Sequence, residues 1–452
     1  MGVIFPFDEA VALGSIGILL LIGIALRARV KFFQRFFVPA CIIGGLLGLI
    51  LREVHILPLS VPILENITYH IFNLTFISLG LTKGAKKNTY DMRKGFRDIV
   101  VMGILIVSVA ALQFIIGGGL TYLFNIIGYR LNPGFGFLVT MGFEEGPGQA
   151  LSIGKSWEGF GFVNASTIGL SFAAIGFLFA IFIGVPLVSW AIRKRYTSSS
   201  SEKVSIAFEK GLYPEEMQRE SAGVLTTHSS AIDSLSFHFS LVGLVYILTY
   251  FFVKGLAYIA PSDLAEMYWG FFFIWGLLIA YIVRWIIEKI GVGYVLNIEM
   301  QERITGFGID FLVVAAITAI SLTVVWEYMV PIIVISAVTG VLTLLWIFYF
   351  GSKLWREYTF ERISGLYGME TGTLATGLIL VRVADPRFKT PAAVDLALSG
   401  IIALLPMFIM LHVMNGPLVF KWSLGFTLVI FLIFLLATLV IFRLLGWKIR
   451  SC

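Results

Sequence analysis

The sequence predicts an all-α polytopic membrane protein made of two inverted five-helix repeats, each carrying a glycine-rich re-entrant hairpin, with one extra helix at the C-terminus. Three observations lead there. Of 452 residues, 58% are hydrophobic and only 13% are charged, where a soluble domain carries roughly 25% charged residues. Apolar runs of the length that a spanning helix requires, about 20 residues, recur between clusters of charge. A short glycine and glutamate pattern also occurs twice, at equivalent places in the two halves. The apolar runs, 101–123 for example, show no strict alternation, which argues against a transmembrane β-barrel.

Taken in order, the apolar runs predict eleven spans, at 9–26, 37–51, 62–81, 98–124, 164–192, 235–253, 268–287, 304–324, 329–350, 392–414 and 422–442. The first run has no basic stretch before it and no convincing small-residue cleavage site, so it reads as a retained helix rather than a signal peptide. The stretches 133–157 and 363–382 lie between apolar helices, yet they are rich in glycine and carry charge. Both read as re-entrant hairpins. With the N-terminus outside, only Arg52, Arg130, Lys155, Lys254 and Lys421 of the 33 basic residues fall on the outer side. This is the asymmetry expected of a correct topology, and counting either hairpin as a full span would destroy it. The C-terminus is then cytoplasmic, and the net charge of +6 marks orientation rather than a nucleic-acid partner.

Domain organisation follows from the same reading. Residues 1–192 form the first repeat and 235–414 the second. Between them lies a polar cytoplasmic linker, 193–234, which contains Thr197-Ser198-Ser199-Ser200-Ser201. Residues 415–452 supply the additional span and tail. Because five is odd, the second repeat enters the membrane upside down relative to the first. The two cysteines, Cys41 within an apolar run and Cys452 at the end, predict no disulfide.

The repeat is legible at residue level. Gly142-Phe143-Glu144-Glu145-Gly146 in the first hairpin matches Gly368-Met369-Glu370-Thr371-Gly372 in the second, and the same offset sets Asn164-Ala165-Ser166-Thr167 opposite Thr390-Pro391-Ala392-Ala393. Inverted repeats interrupted at matching positions point to the binding site of a secondary transporter. Irregular backbone at membrane depth leaves N–H and C=O groups that lipid cannot satisfy and a polar site can. The freed N–H groups suit a carboxylate and the freed carbonyls a small cation.

Acidic residues in apolar sequence cost at least ~2.5–3.5 kcal/mol each on insertion scales, so Glu144, Glu145, Glu370, Asp310 and Asp395 are the informative ones. Asp310 and Asp395 read as cation or proton sites, or else as structural pairs or helix-end contacts. Glu144 and Glu370 read as cation-binding groups, or as solvated ones if the hairpins lie shallow. Glu145 has no repeat partner. Asn164, Ser166, Thr167, Thr371 and Thr373 offer neutral oxygens suited to sodium, or bond their own backbone. Enzyme chemistry finds no support. Gly154-Lys155-Ser156 lacks the preceding glycine of a phosphate loop, since that position is Gln149. His55, His70, His228, His238 and His412 show no metal-ligand spacing, and His238 reads as interfacial or packed.

With these features in place, the chain resembles the bacterial glutamate:sodium symporter family. The resemblance runs over most of the ten repeat helices and rests on the order of its motifs. These are Pro39 with Gly44-Gly45-Leu46-Leu47, then Leu79-Gly80-Leu81, and the first hairpin running into Gly161-Phe162-Val163-Asn164-Ala165. Ala207-Phe208-Glu209-Lys210, Glu302-Arg303 and the second hairpin from Gly365 follow. The resemblance implies sodium-driven uptake of an acidic amino acid in a bacterial inner membrane. It also implies an elevator motion, in which a core domain with both hairpins slides against a scaffold that forms a homodimer. Gly146, Gly148, Asn164 and Gly372 match the family at binding positions. The first hairpin departs from the family's usual Gly-Gly-His-Gly-Thr run by reading Glu144-Glu145-Gly146-Pro147-Gly148, and the second gains Glu370. These added carboxylates would repel an anionic solute unless sodium or protons neutralise them.

The combined expectation is a sodium-coupled symporter of glutamate or a related small carboxylate-bearing solute. Glu144, Glu370, Asp310, Asp395 and Thr371 would hold cations; hairpin amides of Gly146, Gly148 and Gly372, with Gln149, Asn164 and Thr373, would hold the solute. Na+ is the expected coupling ion, with H+ as the alternative, and no cofactor is expected. The rival readings are a proton-coupled or facilitative transporter of another polar solute, a channel-like pore, and a non-transporting receptor, which the short soluble segments oppose.

Overall fold

The computed structural model describes residues 7–82, 92–198, 204–219, 221–386 and 389–446. Cys452, the serines at 199–201 and residues 83–91, where the basic cluster ending at Arg97 begins, lie outside the described residues. The described chain is helical, without a strand. In the first half the helices are α1 (Asp8–Arg29), α2 (Lys31–Arg35), α3 (Ala40–Glu53), α4 (Val61–Leu81), α5 (Met92–Ile126), α6 (Leu138–Phe143), α7 (Pro147–Gly159), α8 (Ala165–Phe179) and α9 (Val185–Arg193). The linker holds α10 (Ile206–Lys210). The second half contains α11 (Ser234–Ile259), α12 (Ser262–Gly270), α13 (Phe272–Lys289), α14 (Ile298–Ala319), α15 (Leu322–Glu327), α16 (Met329–Leu354), α17 (Thr359–Glu370), α18 (Leu374–Ala384) and α19 (Ala392–Val413). Helix α20 (Leu424–Leu444) is the predicted eleventh span.

Each predicted span is occupied by a helix. Among the described residues, seven helices are long and apolar enough to cross a membrane, and the pair α12 and α13, bent by 60° at its break, makes an eighth. Three predicted spans fall short of that standard for physical reasons. Helix α3 has only 14 residues. Helices α4 and α14 are long enough but polar, and they pack along each other, so that Ser78 Oγ donates to Gln301 Oε1 at 2.7 Å and to its carbonyl at 2.9 Å. The predicted span 304–324 is a correction: α14 starts earlier, at Ile298, and breaks after Ala319. Arg52 on α3 donates to the Ile320 carbonyl at 2.7 Å, which supplies a partner where the helix stops.

Starts and crossings are encoded locally. Asp233 accepts from the amides of Leu235 and Ser236 to open α11, and Asn297 and Ser423 cap α14 and α20 in the same manner. Close approach is encoded by glycine. A Cβ on Gly136 would lie 1.9 Å from the Gly117 carbonyl oxygen, and one on Gly117 would lie 2.0 Å from that of Gly136. The segment entering the first hairpin therefore crosses α5 at a distance that only paired glycines permit.

The apolar core divides into a large and two small clusters. The large one joins α5 through α9 to α16 through α20 and also takes in Phe72 of α4, Met267 of α12, Phe273 of α13 and Leu312 of α14. The second is formed mainly by α1, α3, α4 and α14, and the third by α4, α11 and α13. Helix α3 packs on α14, and α13 packs on α4. His238 is fully buried: Asn297 donates its amide to Nε2 at 2.9 Å, and Nδ1 lies 2.6 Å from the Ser234 carbonyl. This is the packed role. Cys41 is buried with a free thiol.

Candidate functional site

Both glycine-rich stretches fold as helical hairpins. The first descends through α6, turns at Glu144-Glu145-Gly146 and leaves through α7; the second turns at Thr371-Gly372-Thr373 between α17 and α18. Gly146 has φ +81°, a conformation that costs other residues strain, and Pro147 then fixes the first turn of α7. At the second turn, Thr373 and Thr376 form a reciprocal capping box that starts α18.

The two tips meet. A Cβ on Gly146 would stand 2.8 Å from Thr373 Cγ2 and 3.5 Å from the Gly372 carbonyl. The N-termini of α7 and α18 thus face the same junction, where first-turn amides without helical partners and two helix dipoles favour an anion. Helix α8 passes beside both hairpins: a Cβ on Gly176 would lie 2.6 Å from the Thr371 carbonyl and 3.0 Å from the Phe143 ring. On the other side, Phe72 of α4 lies against Gly148, at 2.1 Å from a would-be Cβ.

Carboxyls gather at this junction. Glu370 is fully buried and Glu144 nearly so, and Glu144, Glu145 and Glu370 are within electrostatic reach of one another. Both oxygens of Glu370 and Oε2 of Glu144 lack hydrogen-bond partners. Glu145 accepts from Gln149 Nε2. Gln113 on α5 donates to the Glu370 carbonyl at 3.0 Å and to Thr343 Oγ1 at 3.2 Å. Among the described residues, no three His, Cys, Asp or Glu side chains converge closely enough to hold one metal ion. A sodium ion here would draw on carbonyl and hydroxyl oxygens such as those of Thr371 beside a carboxylate. The Thr371 hydroxyl itself bonds the Tyr367 carbonyl at 2.7 Å.

Three expected site residues stand elsewhere. Asp395 is buried, but its Oδ2 accepts from Arg362 Nε at 2.8 Å and Nη2 at 2.7 Å, and Arg362 also pairs with Asp98 at 3.0 Å. Its partner is a side chain of this protein. Asp310 is exposed on α14 beside Cys41 rather than at the junction. Asn164 precedes α8, beyond the far end of the 13-residue α7, about 20 Å of helix from the tip. Nearby Ser166 donates to Glu65 at 2.9 Å and to Glu158 at 2.6 Å, and Lys155 pairs with both carboxylates at 2.8 and 2.9 Å. Gln113 and Thr343 were missing from the expected set. Gln113 is the one amide in the apolar run 99–124, and that isolation was the available signal.

The profile of the sodium/glutamate symporter family matches residues 5–389. The chain belongs to this family. Sodium/glutamate symporters of Escherichia coli (strain K12) and Shigella flexneri are each 26% identical to it over 213 residues, 46% of this chain. The matched segment spans about half, 51%, of each of those relatives. As a family of symporters, it is a family of membrane transporters rather than enzymes, in keeping with the apolar helices.

Proposed function

We propose that this protein is a sodium-coupled symporter of a small carboxylate-bearing solute of the glutamate class. The observation that carries the proposal is the junction of the two hairpin tips, where two helix N-termini and the unpartnered carboxyls of Glu144 and Glu370 come together. The solute's carboxylate would sit on the first-turn amides of α7 and α18, near Gly146, Gly148 and Gly372, with Gln149 and Thr373 beside it. Glu144, Glu370 and Thr371 would provide oxygens for cations. Binding both charges at one buried place couples them, since each lowers the electrostatic cost of the other.

The inverted repeat is supported by the matching hairpins and by reciprocal packing, α3 on α14 and α13 on α4. An elevator motion is supported by family membership and by the gathering of both hairpins with α5, α8 and α16 in one large apolar cluster. Family membership and the distribution of basic residues support a homodimer in the bacterial inner membrane with its N-terminus outside. The test is uptake of labelled solute into proteoliposomes. An inward sodium gradient should drive accumulation, and Glu370→Gln should reduce its sodium dependence at least tenfold, roughly the effect of one lost charge-assisted bond. Equal uptake with sodium and with choline on both sides would overturn the coupling.

A further inference from the structure

The linker motif Ala207-Phe208-Glu209-Lys210 lies in α10, and the hairpin junction makes no use of it. The helix is closed at both ends: Ser205 Oγ accepts from the Phe208 amide at 3.3 Å, and Gly211 follows with φ +74°, a left-handed cap that glycine takes without strain. Five residues are too few for a helix to be stable alone, so α10 sits where its neighbours hold it. The first helices of the chain supply that hold. Arg27 Nη2 on α1 donates to the Phe208 carbonyl at 2.8 Å. A Cβ on Gly211 would stand 3.0 Å from Ile24 Cδ1 and 3.3 Å from Arg27 Cδ, and the ring centroids of Phe37 and Phe208 are 5.3 Å apart.

The Phe208 ring also meets the second hairpin. The guanidinium of Arg382, in the last turn of α18, lies 4.8 Å from the ring centroid, within the reach of a cation–π contact. Both side chains are only partly exposed, and such a contact gains strength as water is removed from it. One residue thus connects two parts of the core: α1 belongs to the second apolar cluster, whereas α18 belongs to the large one, against which Phe208 packs. The start of the linker makes no such bridge. Ser198 donates through its amide and Oγ to Glu361 Oε1 at 2.7 Å each, which ties the end of α9 to α17 within the large cluster.

We infer that Phe208 is a positioning residue for the second hairpin: through Arg382 it ties α18 to α1, so that α18 must leave the ring before it can move past α1. Only the consequence for transport rests on the elevator reading. The experiment measures the distance between spin labels on the full-length chain, at Lys210→Cys in α10 and Arg356→Cys before α17, both exposed positions. Cys41 and Cys452 are replaced by serine, and the buffer contains sodium and L-glutamate. Phe208→Leu keeps apolar bulk but loses the π face, and should raise the share of molecules at a displaced distance about fivefold, the effect of one such contact. Arg382→Gln should do the same from the other side. Phe208→Tyr, which keeps the ring, should leave the distribution as in the parent chain, and gel filtration checks that each variant folds. A rise of less than about twofold with either Phe208→Leu or Arg382→Gln, or an equal rise with Phe208→Tyr, overturns the inference. Proteoliposome uptake separates it from the transport reading. Unshifted distances in a chain that accumulates L-glutamate on a sodium gradient would remove the tie and leave coupling intact, whereas shifted distances in a chain that accumulates nothing would do the reverse.

Discussion

Gly146 is the residue on which the junction turns, because two constraints coincide there. Its φ of +81° and the 2.8 Å from a would-be Cβ to Thr373 mean that Gly146→Ala strains the backbone and pushes the tips apart. The expected cost is about 1–3 kcal/mol, read as loss of uptake by protein that still reaches the membrane; wild-type uptake by the variant would remove the tip contact from the mechanism. Asp395 calls for a different outcome. It pairs with Arg362, whose side chain is itself 1% exposed, so Asp395→Asn should lower stability by about 3 kcal/mol in thermal unfolding, whether or not sodium is present. A sodium-dependent effect at unchanged stability would place Asp395 among the cation ligands. From sequence, Asp395 and Glu370 looked alike, each an acid in an apolar run. They differ because Arg362, 33 positions away, reaches one of them and no cation among the described residues pairs with the other.

Between elements, the informative contact is that of α4 with α7 and α8. Glu65 on α4, 4% exposed, meets Lys155 of α7 at 2.8 Å and Ser166 of α8 at 2.9 Å. Lys155→Met strands a buried carboxylate, so it should destabilise more than the double variant Glu65→Gln with Lys155→Met. Because the lysine is partly exposed, solvent screening holds the coupling to about 1 kcal/mol. A double-mutant cycle of unfolding free energies with no coupling would mean that the pair holds nothing together. The hairpins were legible as elements because glycine and charge interrupt otherwise apolar sequence. Their caps, and the break of α14 at Ile320, were not, since the carbonyl freed there is satisfied by Arg52 from a different helix.

At the scale of the whole molecule, the proposed sliding of α7 and its hairpin past α12 predicts that a covalent tie between these two helices stops transport. Gly159 at the end of α7 faces Glu266 of α12, with 3.2 Å between a would-be Cβ and Cγ. Gly159→Cys combined with Glu266→Cys, in a chain with Cys41 and Cys452 replaced by serine, should lose uptake on oxidation and regain it with reductant. Full uptake by completely cross-linked protein would exclude relative motion at this contact.

The sequence by itself determined the membrane class, the order and approximate bounds of the helices, the two hairpins and the shortlist of acids, because each depends on apolar length, glycine or charge read along the chain. Only the tertiary structure decided which of those acids face the junction. That choice depends on partners brought from distant helices: Arg362 for Asp395, Lys155 for Glu65 and, among the described residues, none for Glu144 and Glu370. Whether a buried charge is structural or available to a ligand is set by what lies across from it in space, and no local pattern carries that information.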